Sequence, residues 1–95
     1  MGSKLSDTQV HEKLALLIGW TLENGEITRT FQLPSFPAAI MFVGAVGQLA
    51  EAADHHPDIV IKWRNVKLSL VTHDADGLTD SDFDIAAQIN ALPQK

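Results

Sequence analysis

A predicted β-hairpin around Asn24-Gly25 constrains the fold of this chain more than any other local feature. Residues 20–23 and 26–33 flank the dipeptide, and Asn-Gly favours the two-residue turn that joins antiparallel strands. The longer flank alternates apolar and polar residues, as a strand with one buried face does, although Arg29 lies on its apolar side. This pattern predicts the first two strands of an antiparallel sheet.

A second hairpin is predicted by residues 59–63 and 66–72, which also alternate. A two-residue turn at Arg64-Asn65 places every apolar pair on one face of the sheet. The predicted pairs are Ile61 with Leu68 and Ile59 with Leu70. Trp63 continues the alternation, so it is expected to pack in the core. Two hairpins predict one sheet whose apolar face is covered by helices.

Three segments with apolar residues at helical spacing supply those helices. The first begins at a capping box at residues 6–9 and ends at Gly19, and the third begins at a similar cap at residues 79–82. The second follows the break at residues 34–37, whose Pro37 suits an early helical position, and runs to about Asp54; the third runs to Pro93. The order α-ββ-α-ββ-α is an α+β fold in a single domain over residues 1–95, with a four-stranded antiparallel sheet and three helices on one face.

The second predicted helix is apolar on almost every side and contains Gly44 and Gly47. Each glycine weakens a helix interior by about 1 kcal/mol relative to alanine, so the close approach of another backbone is a reason for their presence. A chain of 95 residues has a small core that can hardly surround such a helix. We therefore expect a homodimer or homotetramer formed through this helix; the alternative is a helix buried within its own monomer.

Charge and composition exclude several classes of partner. The formal net charge is −5, from 7 basic and 12 acidic residues, which opposes binding to nucleic acid. The absence of cysteine fits a reducing compartment. No basic segment followed by an apolar one opens the chain, and the longest uncharged apolar run, 36–50, is shorter than the ~20 residues of a membrane helix. We expect a cytoplasmic protein without a nucleic-acid or membrane partner.

Three of the four histidines lie at the ends of the second predicted hairpin. Extending its register places His56 opposite His73, with their Cα atoms roughly 5 Å apart if the ladder continues that far. Pro57 has no N–H to donate to a ladder, so only their neighbourhood is predicted. His55 directly precedes His56. Because unperturbed histidine titrates near pH ~6.5, this group predicts an acid/base site.

Glu51 and Asp54 lie near the end of the second helix, where the helix dipole disfavours negative charge. They either pair with the histidines or are solvated surface groups. Covalent catalysis has little support, because the chain lacks cysteine and has no serine in a nucleophile elbow. A three-histidine zinc site is also disfavoured, since the adjacent His55 and His56 coordinate one ion awkwardly.

These residues belong to a wider pattern that covers about residues 5–92. Its parts are Glu51-x-x-x-His55-His56-Pro57, the aromatic Trp63, Thr72-His73-Asp74, Gly77-Leu78-Thr79 and Asp82-Phe83. The pattern resembles the pterin-4a-carbinolamine dehydratase family. That resemblance implies dehydration of 4a-hydroxytetrahydropterin to quinonoid dihydropterin, the recycling step that follows aromatic amino acid hydroxylation, with no metal or cofactor.

The resemblance also implies roles for particular residues. His55 and His73 are expected to exchange protons with the C4a hydroxyl and N5, while His56 binds and orients the pterin. Glu51, Asp54 and Asp82 are expected to tune or hold the imidazoles, and Pro57 and Trp63 to support or shape the pocket. Asp82 has an alternative explanation as the acidic member of the third helix's capping box.

Three possibilities stay open. The chain is either an enzyme or a dimerising interaction module that docks a partner protein through its second helix, as some relatives dock a transcription factor. An intact histidine set favours the enzyme, since a docking module has no physical need for it. A relative that serves another pterin is the third possibility, because the sequence does not indicate the pterin side chain.

Overall fold

Four strands form one antiparallel sheet in the order β1-β2-β4-β3. The structure, a computed structural model, describes residues 3–94. Its elements are α1 (Asp7–Ala15), β1 (Thr21–Glu23), β2 (Glu26–Gln32), α2 (Phe36–Ala53), β3 (Asp58–Lys62), β4 (Asn65–Leu70) and α3 (Asp80–Asn90), with a 3₁₀ turn at His73–Ala75. The predicted α+β fold and the order α-ββ-α-ββ-α are therefore confirmed.

The first hairpin has the turn that its sequence predicts. Glu23 pairs with Glu26 across a two-residue loop, and both loop residues take positive φ, 53° at Asn24 and 80° at Gly25. Asparagine tolerates this left-handed region and glycine enters it without steric cost. Strand β2 buries Ile27 and Phe31 as expected.

The second hairpin differs from the prediction in its turn and register. The turn residues are Trp63 and Arg64, because Asn65 is already paired in the ladder with Lys62. The observed apolar pairs are Ile61 with Val66 and Ile59 with Leu68. This register differs by two residues from the predicted one, and a slip of two leaves every side chain on its original face. The alternation was therefore correct although the pairing was wrong.

Trp63 does not pack in the core as the sequence predicted. It takes φ of 55° in the hairpin turn and is 66% exposed. The Arg64 guanidinium lies 4.6 Å from the centroid of its ring. The turn, and not the strand, determines where this aromatic side chain lies.

All three helices contribute to a single core on the apolar face of the sheet. Val10 of α1, Phe42 and Val46 of α2, and Ile85 and Ile89 of α3 are buried in it. The sheet supplies the facing buried residues Ile27, Phe31, Val66, Leu68 and Leu70. One contiguous cluster thus joins every helix to the sheet, as a single small domain requires.

Helix α1 begins at the predicted cap and ends earlier than predicted. Ser6 and Gln9 bond reciprocally, with Gln9 N–H donating to Ser6 Oγ at 3.2 Å and Ser6 N–H to Gln9 Oε1 at 2.8 Å. The helix ends at Ala15, not at Gly19. Beyond Ala15 the chain turns, so that Leu17 is buried while Ile18 is 80% exposed. Helical periodicity alone would have placed both apolar side chains on the buried face.

Arg29, the exception on the apolar face, is satisfied by a polar network. Its Nη1 donates to Ile18 O at 3.0 Å and to Asn90 Oδ1 at 2.7 Å. Trp20 Nε1 donates to the same Asn90 oxygen at 2.8 Å, and Asn90 Nδ2 donates to Ile18 O at 3.0 Å. The network joins β2, the loop after α1 and the end of α3. A side chain at Gly19 would collide with it, since an added Cβ would lie 2.6 Å from Arg29 Nε.

Helix α2 is an 18-residue core helix with an open outer face. Ser35 caps it by accepting from Ala38 N–H at 3.2 Å. By length and composition it could cross a membrane, with a mean hydropathy of 1.4 and 22% of its residues buried. Its buried residues are Ala39, Phe42, Val46 and Ala50, spaced along one stripe that belongs to the domain core. A core helix passes the same test of length and composition, so that test does not indicate a membrane span.

Replacing Asn90 with leucine is expected to destabilise the fold by about 1–3 kcal/mol, because Trp20 Nε1 loses its acceptor and Arg29 loses one of two. The free energy of unfolding from urea titration measures the effect. Gln88→Leu, an exposed change on the same helix, is the control and is expected to stay within about 0.5 kcal/mol of wild type. Equal unfolding midpoints for Asn90→Leu and wild type would contradict the network's role.

Candidate active site

The end of α2, the segment after β4 and the start of α3 meet around one cavity. Its volume is about 530 Å³, and His55, His56 and His73 all line it. Asp54, Asp74 and Ser81 add polar groups to its wall. The three histidines that the sequence singled out therefore face a common space.

The C-terminus of α2 directs His55 into this region. Asp54 takes the left-handed conformation at φ 50° and ψ 43°, and its N–H donates to Glu51 O at 3.2 Å. The next N–H, that of His55, donates to Ala50 O at 3.1 Å. These two bonds form a Schellman motif, which ends a helix and reverses the chain. The His55 side chain is consequently only 15% exposed and lies against α3.

Asp82 is the fully buried acceptor that holds His55. Its Oδ1 lies 2.5 Å from His55 Nε2. Its Oδ2 accepts from Thr72 Oγ1 at 2.8 Å and from the Thr79 backbone N–H at 3.0 Å. A further contact of 2.8 Å joins the hydroxyls of Thr72 and Thr79. Asp82 therefore caps α3 and contacts a histidine at the same time, so the two interpretations of this residue are compatible.

The contacts of Asp82 favour one position for the proton of the His55 ring. Two donors occupy Oδ2, which leaves Oδ1 of the carboxylate to accept from His55 Nε2–H. In the neutral ring Nδ1 then has a free lone pair. No described residue bonds Nδ1, so this atom is available to take a proton from a ligand and return it.

His56 and His73 are held less firmly. His56 Nε2 lies 2.9 Å from Glu51 Oε1, and both side chains are exposed, at 57% and 82%. Exposed ion pairs contribute little to stability, so Glu51 orients this ring more than it supports the fold. The His73 imidazole begins the 3₁₀ turn, is exposed, and bonds no partner among residues 3–94.

His56 and His73 are neighbours as predicted, since both line the cavity, but the extended register does not place them directly opposite each other. The β3–β4 ladder ends at the pair Asp58 and Ser69, and continuing its register brings Val71 opposite His56. His73 lies two residues further along, in a loop closed by Thr72 N–H donating to Gly77 O at 3.0 Å. The correction follows from the position of the hairpin turn, which the sequence placed one residue too late.

Other residues that the sequence pattern quoted lie at different distances from the cavity. Asp54 lines it, whereas Pro57 and Glu51 do not. Trp63 lies at the opposite end of β3, a strand of five residues and thus roughly 16 Å long, so it does not reach the site of its own chain. The sequence did not identify Thr72 as a partner of Asp82; its place in the Thr72-His73-Asp74 motif was the one available signal.

Metal binding has no geometric support in the described part of the chain. Within residues 3–94 no three side chains of His, Cys, Asp or Glu are grouped closely enough to hold an ion. The cavity is lined by imidazoles and carboxylates, groups that can give or accept a proton. The class defined by fold and site is a small α+β domain with histidines and carboxylates grouped around one cavity.

Comparison with known proteins identifies the family to which this domain belongs. Residues 3–92 match the model of the family described as pterin 4 alpha carbinolamine dehydratase, and the chain belongs to that family. A protein from Roseiflexus sp. (strain RS-1), provisionally named pterin-4-alpha-carbinolamine dehydratase, is 60% identical over 92 residues, which cover 97% of this chain and 99% of the relative. A Chloroflexus aurantiacus (strain ATCC 29366 / DSM 635 / J-10-fl) protein of the same provisional name is 55% identical over 89 residues, covering 94% and 96%.

A solved structure confirms the fold independently. The crystal structure of a protein described as a transcriptional coactivator/pterin dehydratase from Brucella melitensis superimposes with a TM-score of 0.90. The sequences are 32% identical, and the match covers 94% of this chain and 97% of the other.

The neutral His55 ring is expected to carry its proton on Nε2, because that atom faces the Asp82 carboxylate. Nitrogen-15 NMR at a pH where the rings are neutral measures the tautomer directly. His11 is an internal control of the opposite kind: its Nδ1 lies 2.8 Å from Asp7 O, which only accepts, so its proton belongs on Nδ1. A His55 ring protonated on Nδ1 would contradict the assignment.

Proposed function

We propose that this protein dehydrates 4a-hydroxytetrahydropterin to quinonoid dihydropterin and water by histidine acid/base catalysis. Family membership supports a dehydratase acting on a pterin. The proposed acid/base role of the histidines is supported mainly by the His55 ring. A buried carboxylate holds this ring at Nε2, its Nδ1 is unbonded, and it lines a cavity together with His56 and His73.

The reaction needs two proton transfers and no redox step. As the C4a–O bond breaks, the hydroxyl takes up a proton and leaves as water. The N5–H bond gives its proton to a base, and its electron pair forms the C4a=N5 double bond. No group is oxidised or reduced in this reaction. Imidazoles that exchange protons near neutrality therefore suffice without a metal or cofactor.

Each of the three histidines has its own role in this proposal. His55 and His73 carry the two proton transfers at the C4a hydroxyl and N5. Asp82 accepts from His55 Nε2–H and so holds the ring in place while Nδ1 exchanges the proton. His56, oriented by Glu51, binds the pterin ring, and Asp54 adds a carboxylate to the wall of the cavity.

The proposed setting is the cytoplasmic recycling of pterin after aromatic amino acid hydroxylation. The net charge of −5 and the absence of cysteine are compatible with that setting. Neither a membrane nor a nucleic acid takes part in the proposal.

Self-association through α2 is the second part of the proposal. On the outer face of this helix Phe36, Ile40 and Met41 are 48%, 47% and 76% exposed. Nothing lies within 4 Å of a Cβ built on Gly44 or Gly47, so the monomer supplies no backbone that these glycines approach. A homodimer or homotetramer that packs these faces together would bury the apolar side chains and use the open space at the glycines.

Docking of a partner protein on the same face of α2 is the alternative function. It is favoured by this exposed face and by the Brucella melitensis relative's description as a transcriptional coactivator. Because one surface cannot pack against a second copy and a partner at once, the two uses of α2 compete. The histidine cavity is unaffected by either use, so the dehydratase activity is compatible with both.

Replacing His55 or His56 with alanine is expected to lower the turnover rate by a factor of roughly 10² or more. Each replacement removes an imidazole that transfers a proton or orients the pterin. The measurement is the breakdown of 4a-hydroxytetrahydropterin generated in situ by a hydroxylase. Asp84→Ala, an exposed change on α3, serves as the control and is expected to retain wild-type turnover. Near-native turnover by folded His55→Ala would contradict the assignment, and inactive folded wild type would favour the docking function.

Replacing Met41 with glutamate is expected to dissociate the oligomer into monomers without unfolding them, because this side chain is exposed in the monomer and buried in the proposed interface. Light scattering at micromolar concentration gives the mass. Leu16→Glu introduces the same charge at a position that is 87% exposed and outside α2, and is expected to leave the oligomer intact. A monomeric wild-type protein would contradict the interface.

A further inference from the structure

The His73 imidazole, unlike the other two site histidines, has no side-chain partner that orients it. His55 and His56 each place Nε2 beside a carboxylate, whereas the exposed His73 ring bonds no partner among residues 3–94. The place of this ring in the cavity therefore depends on the backbone of the loop that carries it. Whatever holds that loop decides where His73 can exchange a proton.

Backbone hydrogen bonds close this loop between Thr72 and Gly77. Thr72 N–H donates to Gly77 O at 3.0 Å, and Gly77 N–H donates back to Thr72 O at 3.3 Å. Within the loop, Ala75 N–H donates to Thr72 O at 3.1 Å and Asp76 N–H donates to His73 O at 3.0 Å. Because the loop is short and closed, a displacement of either end moves His73 as well.

The two ends of the loop are held differently. At the first end, Thr72 Oγ1 donates to the buried Asp82 carboxylate at 2.8 Å. At the second end Gly77 has no side chain, and the residue after it, Leu78, is buried. The backbone at this second end contacts residues 4 and 5, which precede α1.

Lys4 and Leu5 hold the second end of the loop by two independent contacts. Leu5 N–H donates to Leu78 O at 2.8 Å. The aliphatic stem of Lys4 covers Gly77, since a Cβ added there would lie 2.6 Å from Lys4 Cε and 3.0 Å from Cδ and Cγ. Gly77 is not among the residues with positive φ, so glycine at this position accommodates the stem and not a left-handed backbone.

The segment that makes these contacts is also fixed to the rest of the domain. Leu5 packs against the core, and the next residue, Ser6, caps α1. Residues 4 and 5 are thus held between α1 and the loop. Neither Lys4 nor Leu5 lines the histidine cavity, so neither is expected to touch a ligand bound there.

We infer that Lys4 and Leu5 are positioning residues of the proposed dehydratase: they fix the second end of the loop and thereby place His73 for proton transfer. The inference rests on the proposed function. It adds to the site a segment that lies outside the cavity and acts only through the backbone of the loop.

The first test compares two substitutions of Leu5. Leu5→Pro removes the N–H that donates to Leu78 O, and Leu5→Ala is its matched control, because both lose the leucine side chain while only proline lacks the donor. We expect kcat for dehydration of 4a-hydroxytetrahydropterin to be about tenfold lower in Leu5→Pro, because a small displacement of a proton-transferring group slows the reaction. KM is expected to agree within about twofold, since His55 and His56 are unchanged.

The same two substitutions in a His73→Ala background show whether the effect acts through His73. The residual kcat values are then expected to be equal, because the displaced loop has no imidazole left to misplace. A merely structural role of Leu5 would lower kcat in both backgrounds.

Amide hydrogen exchange followed by NMR measures the loop without any substrate. The Asp76 and Gly77 N–H groups close the loop, and they are expected to exchange about tenfold faster in Leu5→Pro than in Leu5→Ala. The Ile89 N–H, in the buried part of α3, is the internal control and is expected to exchange at equal rates in the two variants.

A second pair of variants leaves the backbone bond intact. Lys4 is exposed, so replacing it does not endanger the fold. Lys4→Met keeps an unbranched stem over Gly77, whereas Lys4→Ala removes it. We expect kcat to be about threefold lower in Lys4→Ala than in Lys4→Met. This pair decides the inference if Leu5→Pro does not fold.

The outcomes separate this inference from the proposed function. Folded wild-type protein that does not dehydrate 4a-hydroxytetrahydropterin overturns the proposed function and the catalytic part of the inference, while the exchange rates still decide whether Leu5 holds the loop. Active wild type with equal kcat values within each pair of variants overturns the inference alone. A kcat difference that persists in the His73→Ala background overturns the assignment to His73.

Discussion

The buried Asp82 carboxylate is the interaction on which the arrangement of this site depends. Burial of a carboxylate costs several kcal/mol unless donors replace its water, and here three donors do so. They come from separate parts of the chain: His55 after α2, Thr72 after β4 and Thr79 before α3. Satisfying one charge therefore fixes the meeting point of two helices and a strand. The same contact selects the tautomer of His55, so packing and proton chemistry have a common cause.

Local signals in the sequence predicted the elements well and the long-range contacts less well. Asn24-Gly25 specified its hairpin because few other dipeptides take positive φ at both positions. The second hairpin had no such signal: Trp63 adopts positive φ although its side chain does not favour it. Since a slip of two preserves the alternation, the pattern could not choose between registers. Extending the wrong register set His73 directly opposite His56, whereas the two residues share a cavity without facing each other across a ladder.

The sequence predicted which histidines lie around the candidate cavity but not how their side chains are held there. Capping rules predicted the bond between Asp82 and the Thr79 backbone, which are three residues apart. They could not predict His55, which is 27 residues from Asp82 and reaches it only through tertiary packing. Arg29 illustrates the same limit, because its partner Asn90 is 61 residues away. The apolar outer face of α2, by contrast, was visible in the sequence, and the monomer leaves it exposed.

In the proposed mechanism Asp82 acts on catalysis through His55. The most direct measurement compares kcat for dehydration in Asp82→Asn and in Asp84→Asn, two matched changes on one turn of α3, of which only the first touches a histidine. We expect Asp82→Asn to lower kcat at least about tenfold in folded protein and Asp84→Asn to match wild type. Equal kcat values for the two folded variants would contradict it.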